Sequence, residues 1–319
     1  MAVLAAVVRE LGSEPVVEEF ADPAPEMGAA DVVAAALNPV DLAVVNGQIP
    51  FRRLTPPFVA GLEGVARLQD GGHRYFFAPE PPFGSFAESV PLAGAEMSAA
   101  VPAGLDPDVA AALGVSGLAA HLSLTATGGL VGGEDVLILG ADGQVGRVAV
   151  QLARALGAGR VIGVVRDDGS RRVPLALGAD AAVSSTDVDG LAERLQAEAP
   201  DGVDLILDLV WGPVVGPSLA VARRNARVVQ IGNSGGPDAT LNAPSFRNRG
   251  VRFLPHSNFL FTAADRAAAF EELAARAAQG EVEVEVERVP LTGAAEAHRR
   301  LVAGAAKRKL VLTTTSGTD

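Results

Sequence analysis

The sequence predicts an α/β fold: a doubly wound parallel sheet inserted in a β-rich domain. Three observations carry this. The first hundred residues break into short apolar segments punctuated by Pro and Gly, such as "LAAVVREL", "PVVEEF", "DVVAAAL", "GVARL", "HRYFF" and "GSFAESVPL", the texture of a barrel or sandwich. From Asp106 onward, strand signals alternate with amphipathic helices, which implies parallel pairing. Further helix and strand signals then follow this region, so the parallel sheet reads as an insertion. On this reading residues 1–108 and 259–319 build one domain and residues 109–258 the other.

Each element follows from its pattern. The helix-like run "DPDVAAALGVSGLAAHLSL" leads into the strand "DVLILG", the helix "VGRVAVQLARAL" and the strand "RVIGVV". A helix near "RRVPLAL", the strand "AAVSS", the helix "DGLAERLQAE" and the strand "VDLILDLV" come next. A helix near "PVVGPSLAVARR" precedes the strand "RVVQIG", and "VRFLPH" is a last strand that belongs at the edge of this sheet. Beyond it, "AADRAAAFEELAARAAQG" has helical period, and the acidic/Val alternation of "EVEVEVERVPL" predicts a strand with one wet face. The helix "GAAEAHRRLVAG" and the strand "KLVLTT" complete the series.

Composition narrows the function. With 319 residues and 49% hydrophobic content the chain can bury a sizeable core. A net charge of -12 at pH 7 gives no electrostatic support to nucleic-acid or anionic-membrane binding, which leaves a small molecule as the expected partner. Cysteine is absent, which excludes disulfides, thiolate zinc sites and a Cys nucleophile together. The start "MAVLAAVVRE" lacks a basic leader, and no apolar run reaches the roughly 20 residues of a membrane span, so a soluble cytoplasmic protein is expected.

The stretch "VLILGADGQVG" (136–146) is the strongest motif. Val136 to Leu139 read as a buried strand, and Val145, Val148, Ala149, Leu152 and Leu156 recur with helical period. Between them Gly140, Gly143 and Gly146 space a tight turn, with Ala141 where a strict G-x-G-x-x-G has its first glycine. A strand–turn–helix with such glycines lets backbone approach a pyrophosphate, whose charge meets N–H groups at the helix start. The candidate cofactor cradle is therefore Gly140, Gly143, Gln144, Val145 and Gly146.

These residues belong to a wider resemblance. Together with "NPVDL" (38–42), "PFVAGLEGVARL" (57–68), "GSFAE" (84–88), "AALGVSGLAAHLSL" (111–124), "LGAD" (177–180) and "KLVL" (309–312), the chain resembles the medium-chain dehydrogenase/reductase superfamily, in its zinc-independent, quinone-oxidoreductase-like branch. The resemblance implies a GroES-like catalytic domain from both chain ends around a central Rossmann domain, with the active site in the cleft between them. It also implies that Lys309 approaches the cofactor phosphates, that Gly232 and Asn233 line the nicotinamide side, and that the protein is a homodimer joined at the sheet edge "GVRFLPHSN". No metal is expected. The positions of the catalytic zinc ligands in relatives that use zinc hold Asn38, Leu62 and a residue near Val115, and an amide with two aliphatic groups does not replace thiolate or imidazole. Glu63, next to Leu62, reads as a buried carboxylate tied to backbone or an Arg.

Cofactor choice turns on position 166. NAD-binding units place an acid about 20 residues past the glycines to accept from the ribose hydroxyl. Here Arg166 stands there, followed by Arg171 and Arg172, and guanidinium forks suit a 2'-phosphate, so NADPH is expected, although Asp167 and Asp168 run against it. Hydride transfer without a metal needs positioning, desolvation and a donor to the oxygen where charge develops. The candidate donors are Asn38, Asp41, His256 and Asn258, with Gln48 and Ser257 close behind in the chain. A capping role for Asn38 and Asp41 competes equally with a chemical one. The Tyr that relatives often carry soon after "NPVD" is missing. The expected activity is NADPH-dependent reduction of a quinone or an α,β-unsaturated carbonyl compound. The alternative is a redox-silent protein on the same fold, either a nicotinamide-sensing regulator or a lyase or cyclase.

Overall fold

Alternation of apolar and small residues in the first hundred positions produces short antiparallel strands. The computed structural model describes residues 2–49 and 52–314. Its first elements are β1 (Ala2–Val8), β2 (Val16–Ala21), β3 (Ala29–Ala36), α1 (Pro39–Val45), β4 (Phe58–Val59), β5 (Glu63–Arg67), β6 (His73–Phe77), β7 (Ser89–Pro91) and β8 (Met97–Ala100). Helix α2 (Pro107–Leu122) then leads to β9 (Val136–Leu139), α3 (Gln144–Ala155), β10 (Val161–Val165), α4 (Arg172–Ala176), β11 (Ala181–Ser184), α5 (Leu191–Glu198) and β12 (Val203–Asp208). The chain continues through α6 (Val215–Ser218), β13 (Ala222–Gln230), α7 (Ala243–Arg247), β14 (Arg252–Pro255), α8 (Ala263–Ala278), β15 (Val286–Pro290), α9 (Ala294–Val302) and β16 (Lys309–Thr313).

Contacts divide these elements into two units. One comprises Met1–Ser116, Thr262–Gln279 and Val284–Asp319, and the other Gly117–Phe261 with Gly280–Glu283. The first division falls inside α2, eight residues later than the boundary the sequence suggests. In the first unit, β2-β1-β4 form a small sheet, and β15-β16-β3-β5-β6-β8 form a larger one to which β7 adds through β3. Antiparallel pairing dominates the larger sheet, with β15 and β16 parallel to each other.

The second unit is the parallel sheet, in the order β11-β10-β9-β12-β13-β14. This is the order of a doubly wound dinucleotide fold, which reverses direction between β9 and β12. Its inner strands are buried on both faces: every residue of β9, "VLIL", and of β10, "VIGVV", is buried. Such strands need apolar side chains on both sides, which is why the sequence shows continuous runs rather than alternation. Leu137, Leu139, Ile162, Leu195, Ile206 and Val228 belong to one core cluster. Strand β14 lies at the sheet edge, where the sequence puts it.

Two elements depart from the sequence pattern. The alternation "EVEVEVE" predicts a strand from residue 281, yet β15 starts only at Val286. The side-chain amide of Gln151 explains the difference: it donates to Glu283 O at 3.0 Å and accepts from Glu283 N at 2.8 Å, so this backbone is satisfied without a strand partner. The run through "GVSG" is not a uniform helix either. Gly114 in α2 has non-helical angles (φ -52°, ψ -108°), and a π turn, Ser123–Thr127, follows. Residues 107–127 are the one helical stretch among the described residues long and apolar enough to cross a membrane, and 72% of its most apolar window is buried inside the protein, as in a core helix.

Candidate functional site

A buried polar cluster forms in the first unit around Glu63. Proline at the first turn of α1 fixes the chain after Asn38, and the Asp41 carboxylate reaches back to accept from Asn38 N at 2.7 Å. Its other oxygen accepts from Leu62 N at 2.9 Å. Asp41 is thus a cap and a tie, the structural role that its spacing allows, and it is buried, 3% exposed. Glu63, on β5, accepts from Asn38 Nδ2 at 2.6 Å, from Tyr75 Oη at 2.7 Å and from Val115 N at 2.6 Å. The last bond needs the break at Gly114: a Cβ there would lie 1.9 Å from Glu63 Oε2 and 2.6 Å from Tyr75 Oη. Glycine therefore lets the helix open toward the carboxylate.

Lys309 closes the cluster. Its ammonium donates to Asn38 Oδ1 and, at 3.1 Å, to Ser116 Oγ. The resemblance assigns Lys309 to cofactor phosphates; the structure gives its amine protein partners and leaves it 2% exposed. Burial pulls the Lys309 pKa down, while Glu63 and Asp41 hold it up. Burial likewise raises Glu63, against Lys309 and its hydrogen-bond donors, and lifts Asp41 from 3.8 to about 7. Unpaired charges would not survive at this depth, and one ammonium facing a carboxylate keeps the cluster close to neutral. Asn38, expected as a donor to substrate, is 1% exposed: its amide nitrogen is engaged by Glu63, and its oxygen by Lys309 and by the Ser116 hydroxyl at 3.3 Å.

In the second unit the glycine turn stands at the carboxyl end of β9. Gly140 has φ +85°, and its N–H and that of Ala141 both donate to Val164 O at 2.9 Å. A Cβ on Gly146 would lie 2.1 Å from Gly140 O and 2.7 Å from Ala141 Cα, so α3 packs backbone against backbone. Ala141 in place of glycine is accommodated because the facing position in β10 is Gly163, whose own Cβ would meet that of Ala141 at 2.8 Å. Gly143 is the N-cap of α3 and offers no side-chain cap, which leaves the first-turn N–H groups, those of Gln144, Val145 and Gly146, for an anion.

Arg166 follows β10 and is exposed, as are Arg171 and Arg172. The adjacent acids are less available than the sequence suggests. Asp167 caps a short turn by accepting from Ser170 N at 2.9 Å, and Asp168 stands 3.9 Å from Arg171. Arg171 also donates through Nε to Ala182 O at 2.7 Å. At the ends of β12 and β13 lies a cavity of about 510 Å³ lined by Trp211, Gln230, Ile231, Gly232, Asn233 and Pro237. Gly232 is required there, since a Cβ would meet Leu209 O at 2.5 Å.

His256, just past β14, is 7% exposed, and burial pulls its pKa down while Asn258 partly holds it up. Nδ1 lies 2.8 Å from Thr127 Oγ1 and Nε2 3.2 Å from Asn258 Oδ1. With Nε2–H donating to the Asn258 oxygen, Nδ1 accepts from the Thr127 hydroxyl. Both ring nitrogens of His256 thus have partners within the second unit.

The chain has known relatives. Residues 145–275 match the family model described as zinc-binding dehydrogenase. A probable quinone oxidoreductase of Leishmania amazonensis is 31% identical over 209 residues, which cover 62% of this chain and 59% of that one. A quinone oxidoreductase of Lama guanicoe is 27% identical over 64% of this chain and 63% of its own. The chain thus spans less than two thirds of the length of these relatives. Among solved structures, the quinone oxidoreductase of Thermus thermophilus, determined alone and with NADPH, is 30% identical and superimposes with a TM-score of 0.78 over 98% of this chain and 100% of that one. A mycobacterial quinone oxidoreductase superimposes with a TM-score of 0.85 at 25% identity, over 98% and 99%. The chain belongs to the medium-chain dehydrogenase/reductase superfamily, in its quinone-oxidoreductase-like branch.

For this medium-chain dehydrogenase/reductase, the match to a zinc-binding model stops short of the metal question, because residues 145–275 exclude positions 38, 62 and 115. Those positions are occupied by the polar cluster instead: Asn38 through its side chain, Leu62 and Val115 through backbone N–H groups. Ser116, Tyr75 and Thr127 are the residues that sequence reasoning missed. Ser116 follows the third metal-ligand position directly, and Tyr75 is the chain's single tyrosine, so each had a signal. Thr127 had none, since its role depends on His256, 129 residues away.

Proposed function

We propose that this protein is an NADPH-dependent oxidoreductase that reduces a quinone or an α,β-unsaturated carbonyl compound without a metal. The observation that carries the reading is the glycine turn at the sheet's switch point, where Gly146 packs backbone against backbone on Gly140 and the N-cap of α3, Gly143, offers no side-chain cap to the first-turn N–H groups. Gly140, Gly143, Gln144, Val145 and Gly146 would hold the pyrophosphate, with Arg166 and Arg171 beside the 2'-phosphate. Gly232 and Asn233, which line the 510 Å³ cavity, would face the nicotinamide. Bound there, NADPH supplies a hydride equivalent from its nicotinamide ring. Arg166, exposed at the end of β10, supports the phosphate over a free ribose hydroxyl, because a guanidinium stands where a ribose-binding acid would be. NADPH complexes of the Thermus thermophilus and mycobacterial relatives support the same choice.

Independence from metal rests on the donor set. Asn38 and two backbone N–H groups are not zinc ligands, and Glu63, the nearest carboxylate, is already spent on three donors. Chelation should leave activity unchanged; activity lost with stoichiometric zinc would overturn this part. For the cofactor, Arg166→Asp should weaken NADPH binding by roughly 1.5–3 kcal/mol, the worth of a hydrogen bond to a charged group, with little effect on NADH. Calorimetry showing equal wild-type affinity for both would contradict it. The same reading has two copies paired through the β14 edge.

A further inference from the structure

The chain's single tryptophan stands in a backbone conformation that suits glycine. Trp211, in the loop after β12, has φ +58° and ψ -151°, a region that bulky residues avoid and that persists only where the surroundings impose it. Here they do. Asp208, at the end of β12, accepts from Val210 N at 3.0 Å and from Trp211 N at 2.6 Å through one carboxylate oxygen. The loop after β13 locks the other side: Gly235 N donates to Val210 O at 2.7 Å, and a Cβ on Gly212 would lie 2.5 Å from Gly235 O. All of these residues lie within the second unit. A glycine would take the same angles at no steric cost, so a large ring at this position points to a use for the ring. Trp211 is half-buried: it packs against the core cluster and also lines the 510 Å³ cavity, together with Gln230, Gly232 and Asn233. None of the residues lining that cavity is charged. Gln230 Nε2 donates to Gly232 O at 2.9 Å, which leaves the amide oxygen as the end open to a ligand.

We propose that Trp211 is the aromatic wall of the nicotinamide site and binds the ring more tightly after hydride donation than before it. The proposal rests on the reading of this cavity as the nicotinamide site. Hydride donation breaks a ring C–H bond and sends both of its electrons to the acceptor, which forms the new bond to hydrogen and takes a proton from water. What remains is a pyridinium cation. Before transfer the ring is neutral and gains only stacking from the indole; afterwards its positive charge is drawn to the negative face of the indole. Because no charged side chain lines the cavity, Trp211 and the amide oxygens of Gln230 and Asn233 are the lining groups that meet this charge. The charge already develops in the transition state, so the same contact favours hydride donation over mere binding of the reduced cofactor.

A single tryptophan makes the contact readable in the whole protein, because all indole emission comes from Trp211. NADP+ does not absorb where indole emits, so it quenches by contact rather than by energy transfer at a distance. Titration with NADP+ should quench the emission with the same affinity that calorimetry gives. The 2'-phosphorylated ADP-ribose, which lacks only the nicotinamide, should bind without quenching. Trp211→Leu, which keeps an apolar side chain on the core cluster, should weaken NADP+ about 2- to 30-fold, the range of a cation–π contact, and NADPH by less. Trp211→Phe should recover part of that preference. Absence of calorimetric binding by either nicotinamide nucleotide would overturn the cofactor reading and the role of Trp211 with it. Binding of NADP+ with unchanged emission, equal quenching by the nicotinamide-free nucleotide, or equal losses of NADP+ and NADPH affinity in Trp211→Leu would overturn the role of Trp211 and leave the cofactor reading standing.

Discussion

At the residue scale, the polar cluster is a set of mutually dependent bonds, and Gly114 is its keystone. A methyl group at Gly114 would lie 1.9 Å from Glu63 Oε2, so Gly114→Ala must push the helix or the carboxylate aside. Urea unfolding should show a loss of about 1–3 kcal/mol, the usual cost of overpacking a filled site. Asp41 carries a pH prediction. Its pKa rises from 3.8 to about 7 on folding, chiefly through burial, so between those values the folded chain binds the extra proton and stability falls as pH rises. Wild-type stability measured relative to Asp41→Asn should therefore decline from about pH 4 to about pH 7, and parallel curves would contradict the raised pKa. Part of this was legible in sequence. Glu63 reads as a buried carboxylate tied to backbone, and Asn38 with Asp41 as a cap. The Lys309 connection was not, because Lys309 and Asn38 are 271 residues apart and only the pairing of β16 with β3 brings them together.

At the element scale, strand and helix are joined by backbone-on-backbone contact at one turn, and its glycines are not equivalent. Gly146 has backbone atoms at 2.1 and 2.7 Å from its would-be Cβ, whereas Gly143 meets only Gly140 O at 3.3 Å. Gly146→Ala should lower the melting temperature and abolish nucleotide binding together. By contrast, Gly143→Ala should melt near wild type and weaken NADPH about tenfold, a loss of ~1.4 kcal/mol, by placing a methyl group in the anion's path. Calorimetry and thermal melts on the two variants separate these outcomes; equal melting losses would mean that both glycines are merely structural. The sequence placed β14 at the sheet edge, and the βα alternation followed from apolar runs of the right length. The start of β15 did not, since the "EVEVEVE" alternation carries no sign that Gln151 satisfies the Glu283 backbone.

At the scale of the whole molecule, a β-rich unit from both chain ends and a parallel sheet from the middle follow from the order of the signals along the chain. Assembly is a separate matter. Strand β14 is an edge with no lysine to guard it, and an open edge invites pairing. Phe253 packs into the core cluster and against Phe246 at 5.7 Å, so the interface is better probed at Leu254, which lies outside that cluster. Sedimentation at micromolar concentration should give the mass of two chains, reduced to one by Leu254→Lys; a wild-type monomer would remove the proposed pairing. The central claim is that the sheet's switch point holds NADPH for reduction of a quinone or enone. Its most direct test is the absorbance of the reduced nicotinamide when the metal-free protein is mixed with NADPH and a panel of quinones and α,β-unsaturated carbonyl compounds. The account predicts a decay that depends on enzyme and acceptor, faster with NADPH than with NADH. Tight NADPH binding with no decay for any acceptor would contradict it and favour the redox-silent reading.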